Sequence, residues 1–199
     1  MAETSNRRLR IDNVRFNFAA TLFTPKGTQD KPDALKFSVV AIIGRDHPQL
    51  PAIKAAIVAA AESKWPGKGV DMVKQLQAAD RICLHDGDAK ADMPGYKGNL
   101  YINASNALRP FVVGPDRQPL VAADGKPYSG SYGNIMVEFW AQDNGFGKRV
   151  NASLLGAQHI KDGERLSGGG VASADDFDAI PQAAAEAAAA SGLGAASLF

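Results

Sequence analysis

The sequence predicts a mainly β fold, a Greek-key barrel or a related all-β architecture carrying one inserted helix. Short apolar runs of period two recur between turn signals along the chain, and only one run has a clear helical period. A third observation sets the domain organisation. The last 29 residues, Val171–Phe199, hold no Lys or Arg, carry Asp175, Asp176, Asp178 and Glu186, and end on an aromatic residue. The chain has 22 basic and 21 acidic residues, so residues 1–170 set 22 positive charges against 17 negative ones, a net +5. The expected organisation is a folded domain over 1–166 and a flexible linker and acidic tail over 167–199, with Gly168-Gly169-Gly170 in the linker. A basic body with an acidic tether suits a polyanion-binding domain with an anionic mimic or docking peptide; the plainer reading is a solubilising tail.

The elements follow in chain order. Leu9, Ile11, Val14, Phe16 and Phe18 alternate with Arg8, Arg10, Arg15 and Asn17, with a slip at Asp12-Asn13 that marks a bulged strand. A breaker-rich stretch from Thr24 to Asp33 then leads into Phe37–Ile43, whose β-branched density marks a buried strand. Together they read as a hairpin with a basic tip. From Pro48 to Trp65 the period changes: Ile53, Ala56, Ile57, Ala60 and Ala61 fall on one helical face, and Pro66-Gly67 ends the run. Residues 70–79 predict a short second helix. Strands resume at Arg81–Leu84, Asn99–Ser105, Pro110–Val113, Ser131–Gln142 and Lys148–Leu155, separated by turn signals such as Asp86-Gly87, Asp124-Gly125 and Asp143-Asn144-Gly145.

Bulk composition bounds the function. At 199 residues and 45% hydrophobic content the chain can bury one good core. Cys83 is the only cysteine, which excludes an internal disulfide and a cysteine-built zinc site. The polar start and the lack of any run of about 18 apolar residues lead to the expectation of a cytoplasmic protein without a membrane partner.

Strand alternation then sorts the side chains. In Ser131–Gln142, Ile135, Val137, Phe139 and Ala141 form the apolar face, so Tyr132, Asn134, Met136, Glu138 and Trp140 face the other way. By the same parity Tyr101, Asn103 and Ser105 face outward, as do Arg149, Asn151 and Ser153. An outward face holding Tyr101, Tyr132, Trp140, Arg149 and Arg109 has the ingredients of a stacking platform with phosphate-binding cations. Single-stranded nucleic acid uses that pairing because every base has a π-face and Lys or Arg tracks the backbone. Loop groups add to it: Lys26 and Lys31, Tyr96-Lys97, Tyr128 after Lys126-Pro127, and Lys148-Arg149 after Phe146-Gly147. The competing reading makes the rings ordinary core beneath the helix.

Catalytic patterns are sparse. His47, His85 and His159 are widely spaced, so no catalytic residue, metal or cofactor is assigned. The best enzymatic alternative is a metal-dependent nuclease or junction-processing enzyme using Asp86, Asp88 and Asp92, although Asp-Gly-Asp is also ordinary turn chemistry. A second alternative is a structural or interaction β protein whose outward rings bind another chain.

Several blocks in order carry a resemblance: Phe16-Asn-Phe18, Leu22-Phe-Thr-Pro-Lys26, Lys36-Phe-Ser-Val39, Leu84-His-Asp-Gly-Asp88, Gly95-Tyr-Lys-Gly98, Tyr101-Ile-Asn-Ala-Ser105, Arg109-Pro110, Tyr128-Ser-Gly-Ser-Tyr132, Phe139-Trp-Ala-Gln-Asp-Asn144 and Asp175-Asp-Phe-Asp178. Over roughly residues 10–180 the chain resembles a phage and prophage family that includes single-stranded DNA-binding proteins, with an OB-fold core similar to that of T-odd podovirus proteins. The resemblance implies an OB-like barrel that coats single-stranded DNA in phage replication and recombination inside the bacterial host. It also implies that the tail, through Asp175, Asp176, Phe177, Asp178 and Phe199, weakens DNA binding and docks replication proteins. Weaker duplex binding and a homodimer are left open.

Overall fold

The computed structural model describes residues 6–28 and 31–166. The acidic tail and its proposed docking residues lie outside them. The strands are β1 (Arg8–Asn17), β2 (Lys26–Thr28), β3 (Lys31–Gly44), β4 (Leu84–Asp86), β5 (Asn99–Asn106), β6 (Phe111–Val113), β7 (Tyr132–Asn144) and β8 (Gly147–Lys161). Two helices, α1 (Leu50–Lys64) and α2 (Gly69–Ala78), lie between β3 and β4.

Five strands close a ring in the order β1, β3, β5, β8, β7 and back to β1. All of these pairs are antiparallel except β5 with β8, which meet in parallel at Ala104↔Ala152 and Ser105↔Ser153. This is the Greek-key connectivity of an OB barrel, in which β3 and β5 are the second and third barrel strands. The short strands extend the ring: β2 folds back on β3, β4 adds to β5, and β6 continues beside β8.

Alternation places the core as the sequence parity requires. Ile11, Val14 and Phe16 from β1 meet Val39, Ala41 and Ile43 from β3, Ile102 and Ala104 from β5, Ile135, Val137 and Phe139 from β7, and Val150, Ala152 and Leu154 from β8, all buried. Burying each large side chain contributes about 1.5–3 kcal/mol. Helix α1 lays the buried stripe Ile53, Ala56, Ile57, Ala60 and Ala61 on the same core and packs against β7 and α2. Lys64 stands in its last turn, where a cation suits the helix dipole.

Several elements differ from their sequence reading: the loop expected from Thr24 to Asp33 holds β2, and β3 starts at Lys31 rather than Phe37. The strand expected at Arg81–Leu84 runs instead over Leu84–Asp86, because Ile82 makes only an isolated bridge to Val150. The last strand runs to Lys161, not Leu155. Bulges where β8 pairs with Met136/Val137 and Tyr132/Gly133 of β7 break the alternation that periodicity depends on. None of the described helices is long and apolar enough to cross a membrane.

Candidate nucleic-acid interface

A single extra residue in β1 determines what the barrel shows to the outside. Pairing with β7 shifts between Ile11 and Val14, and Asn13 takes a left-handed conformation with φ 50°, which Asn tolerates better than most residues. Ile11 points in before the bulge and Val14 and Phe16 point in after it, so Arg15 points out. The bulge is braced from the α1 side: the Asp12 N–H donates to Gln49 Oε1 at 2.7 Å, Gln49 Nε2 donates to the Arg10 carbonyl at 2.9 Å, and His47 Nε2 lies 2.8 Å from the Asp12 carbonyl.

Register then aligns six outward side chains from six strands. Lys161 of β8 pairs with Tyr132 of β7, Tyr132 with Arg15 of β1, Arg15 with Ile42 of β3, Ile42 with Tyr101 of β5, and Tyr101 with His85 of β4. At about 4.8 Å per strand the row extends roughly 24 Å round the barrel. The Tyr132 ring lies between two cations, with Lys161 Nζ 4.9 Å and the Arg15 guanidinium carbon 5.7 Å from its centroid. Arg15 is aimed by neutral acceptors, donating from Nη2 to the Glu164 carbonyl at 2.8 Å and from Nε to the Gly130 carbonyl at 3.3 Å. Among the described residues Arg15, Lys161, Lys90 and Arg165 make no ion pair with a carboxylate, so their charge is available to an anion.

The structure redistributes the expected contacts. Tyr132 stays in the cationic row, half-buried. Tyr101 is on the outward face yet only 4% exposed, because Tyr96, Met93 and Leu166 cover it from outside the barrel. Its ring meets Tyr96 edge-on at 5.0 Å and stacks on His85 at 4.9 Å with 19° between planes. Tyr96 is therefore corrected from an exposed loop contact to a buried one, 1% exposed, whose hydroxyl oxygen accepts from Asn17 Nδ2 at 3.1 Å. Burial pushes that phenol's pKa up. Tyr128 acts as a clasp: its hydroxyl donates to the Gly163 carbonyl at 2.9 Å and accepts from the Gly163 N–H at 3.0 Å, while the Arg165 guanidinium sits 4.3 Å from the ring centre.

Trp140 is 39% exposed at the far end of β7, opposite Asn151 and eight positions from Tyr132, so it belongs to a separate part of the surface. Arg149, exposed, shares a groove with Arg81, His85, Asn103, Ser105 and Asn151 across the β5–β8 seam. Lys148 is drawn elsewhere, 3.7 Å from Asp143 and 5.8 Å from the Trp65 ring centre, while Trp65 Nε1 donates to Asp143 at 3.0 Å. These contacts hold the Asp143 carboxyl below its ordinary range, the Trp65 hydrogen bond contributing most. Lys26, Lys97 and Arg109 are exposed on three separate segments.

The carboxylates proposed for a nuclease serve the turn. Asp86 caps the short helical turn Gly87–Lys90 by accepting from the Asp88 N–H at 2.9 Å, and Asp88 accepts from the Gly98 N–H at 2.7 Å. Arg45 Nη2 reaches both, 2.5 Å from Asp86 and 2.8 Å from Asp88. The backbone hydrogen bond, followed by Arg45, lowers the Asp86 pKa. Asp92 is exposed, and among the described residues no three His, Cys, Asp or Glu side chains converge to hold a metal ion. Cys83 is buried and its thiol is pushed up to about 12 by desolvation.

A five-stranded Greek-key barrel whose second and third strands face outward beside cation-lined grooves defines an OB-type binding protein, the class that takes oligonucleotides or oligosaccharides on that face. Within this class, the chain belongs to the family described as the Enterobacter phage Enc34 single-stranded DNA-binding protein, which matches residues 7–189. Protein p50 of Acyrthosiphon pisum secondary endosymbiont phage 1 is 40% identical over 182 residues, covering 90% of this chain and 97% of that protein. The solved single-stranded DNA-binding protein of bacteriophage Enc34, in a C-terminal truncation, is 26% identical with a TM-score of 0.62, over 80% of this chain and 88% of that one. A likeness of fold extends to gp2.5, a single-stranded DNA-binding protein of bacteriophage T7. It is 12% identical with a TM-score of 0.51, over 87% of this chain and 98% of that one.

Proposed function

We propose that this protein is a non-catalytic, sequence-tolerant single-stranded DNA-binding protein that coats and protects the strand during phage DNA replication and recombination in the bacterial host cell. The observation that carries the reading is the Lys161–Tyr132–Arg15 row, where two cations without carboxylate partners flank a ring on the outside of an OB barrel. Cations of this kind hold phosphates, and a ring at the same place accepts any base. Family membership supports it. Duplex DNA binds more weakly, because a stacked helix cannot lay its bases on a ring. Arg149 and Trp140 extend the contact surface beyond the row. The acidic tail competes with DNA for the cationic face and docks replication proteins through Asp175, Asp176, Phe177, Asp178 and Phe199.

The test is a titration of labelled oligo-dT and of a matching duplex at two salt concentrations. Binding favours the single strand and falls steeply as salt rises, since cations on the protein displace counterions from the phosphates. A protein that leaves oligo-dT unbound, or binds it with no salt dependence, refutes the proposal. In the same assay, removing residues 171–199 tightens binding. The nuclease reading predicts Mg²⁺-dependent cleavage abolished by Asp86→Ala, whereas the engagement of Asp86 by Arg45 and the Asp88 amide favours intact DNA in both proteins.

A further inference from the structure

A second cleft, with a volume of about 640 Å³, opens beyond the end of the outward row, where α1 and α2 face β4 and β5. Its floor is apolar, from Leu50, Leu84 and Leu100, and its walls carry Arg45, Lys54 and Lys90. Three carboxylates stand nearby, each with a hydrogen-bond partner. Asp80 holds His85 Nδ1 at 2.6 Å, and Asp86 and Asp88 share Arg45 at 2.5 and 2.8 Å. Lys54 and Lys90 make no ion pair among the described residues, so two ammonium groups stand in the cleft clear of any carboxylate. Lys90 Nζ also lies 4.9 Å from the Tyr101 ring centre.

His85 is the pivot of this region. Its ring stacks on Tyr101, is held in place by Asp80, and lines both this cleft and the Arg149 groove on the β5–β8 seam. Asp80 and His85 are common to the two, so a chain leaving the Arg149 groove passes His85 to enter the cleft. A volume of this order accepts a group of small-molecule size, and a flat wall beside two free ammonium groups suits an aromatic group carrying a phosphate.

We propose that this cleft takes a nucleotide of the bound strand, its base extending the Tyr101–His85 stack and its phosphates held by Lys54 and Lys90. The inference rests on the single-stranded DNA reading above and adds to it. The strand does not stop at the barrel face; it turns past His85 onto the helical side of the molecule. Asp80 is a positioning residue here, since it orients the His85 ring without touching the nucleotide.

The experiment uses the full-length protein and oligo-dT of 20 nucleotides carrying single 5-iodo-deoxyuridine substitutions, with photo-crosslinking and peptide mapping beside affinity measurements. Adducts appear on the peptide containing His85 as well as on the one containing Tyr132. Lys54→Glu on the exposed face of α1 lowers affinity about fivefold or more, with the melting temperature unchanged, and reduces the His85 adduct while the Tyr132 adduct persists. His85→Ala weakens binding to a similar degree. Adducts confined to the Tyr132 peptide, together with parental affinity in Lys54→Glu, overturn the cleft assignment and leave the barrel-face reading standing. Failure of the parent protein to bind oligo-dT overturns both.

Discussion

Arg15 and Tyr132 stand opposite one another across β1 and β7, with the guanidinium carbon 5.7 Å from the centre of the phenol ring. The pair brings together residues 117 positions apart in sequence and places a cation beside a stacking surface at the middle of the outward row. Glu164 and Gly130 contribute only carbonyl oxygens to Arg15, which fixes its direction without neutralising it.

Removing these cations tests the row directly. Arg15→Ala and Lys161→Ala each weaken oligo-dT binding several-fold at moderate salt. Each also lowers the slope of log affinity against log salt by about 0.7, the share of one phosphate contact on a single strand. The check is a salt series for parent and variants; an unchanged slope would place both side chains outside the phosphate contacts.

Intrinsic fluorescence separates the two tryptophans. Trp65 is engaged by Asp143 and lies near Lys148, whereas Trp140 faces outward opposite Asn151. Oligo-dT therefore quenches the Trp65→Phe protein much as it does the parent, and Trp140→Phe abolishes most of the quenching. Quenching that survives Trp140→Phe would remove that residue from the interface.

His159 makes the fold sensitive to mild acid. The ring is buried, its Nδ1 has no hydrogen-bond partner, and Asp162 lies 3.5 Å from Nε2. Desolvation lowers its pKa below 6.5, outweighing the opposing pull of Asp162. The unfolded chain then binds this proton more readily than the folded one. The stability contribution is present in full above pH 6.5 and is lost as pH falls through the lower, folded value. Thermal melts from pH 7.5 to 5 should show a decline that is shallower in His159→Gln; parallel profiles would assign the decline to other groups.

Gly133 has no room for a side chain. A Cβ there would press on the Gln158 carbonyl and the edge of the Phe16 ring. Gly133→Ala lowers stability by about 1–3 kcal/mol through overpacking, measured by denaturant unfolding. If the midpoint does not move, Phe16 has space that its packing does not reveal.

Much of the fold could be read locally. The inward parity of Ile135, Val137 and Phe139, the helical stripe from Ile53 to Ala61, and the slip at Asp12-Asn13 all depend on neighbours within a few residues. The site was less legible because it is made by register. Arg15, Lys161 and His85 become neighbours of the two tyrosines only once six strands are paired, and no local pattern encodes that pairing. Lys161 was also hidden by the two bulges near the end of β8. Strand parity turns Tyr101 away from the core, but its cover comes from Tyr96 and Leu166, on segments whose path over the sheet depends on tertiary packing.

Ring closure also sets an order on synthesis. The amino-terminal strand finds its β7 partner only after Tyr132 has been made, and the parallel seam waits for Ala152. At roughly 5–20 residues per second, that leaves β1 without its second neighbour for about 6–25 s on the ribosome. During that interval the edge of β1 that later meets β7 has no strand beside it, and Val14 and Phe16 lack the core faces of β7 and β8.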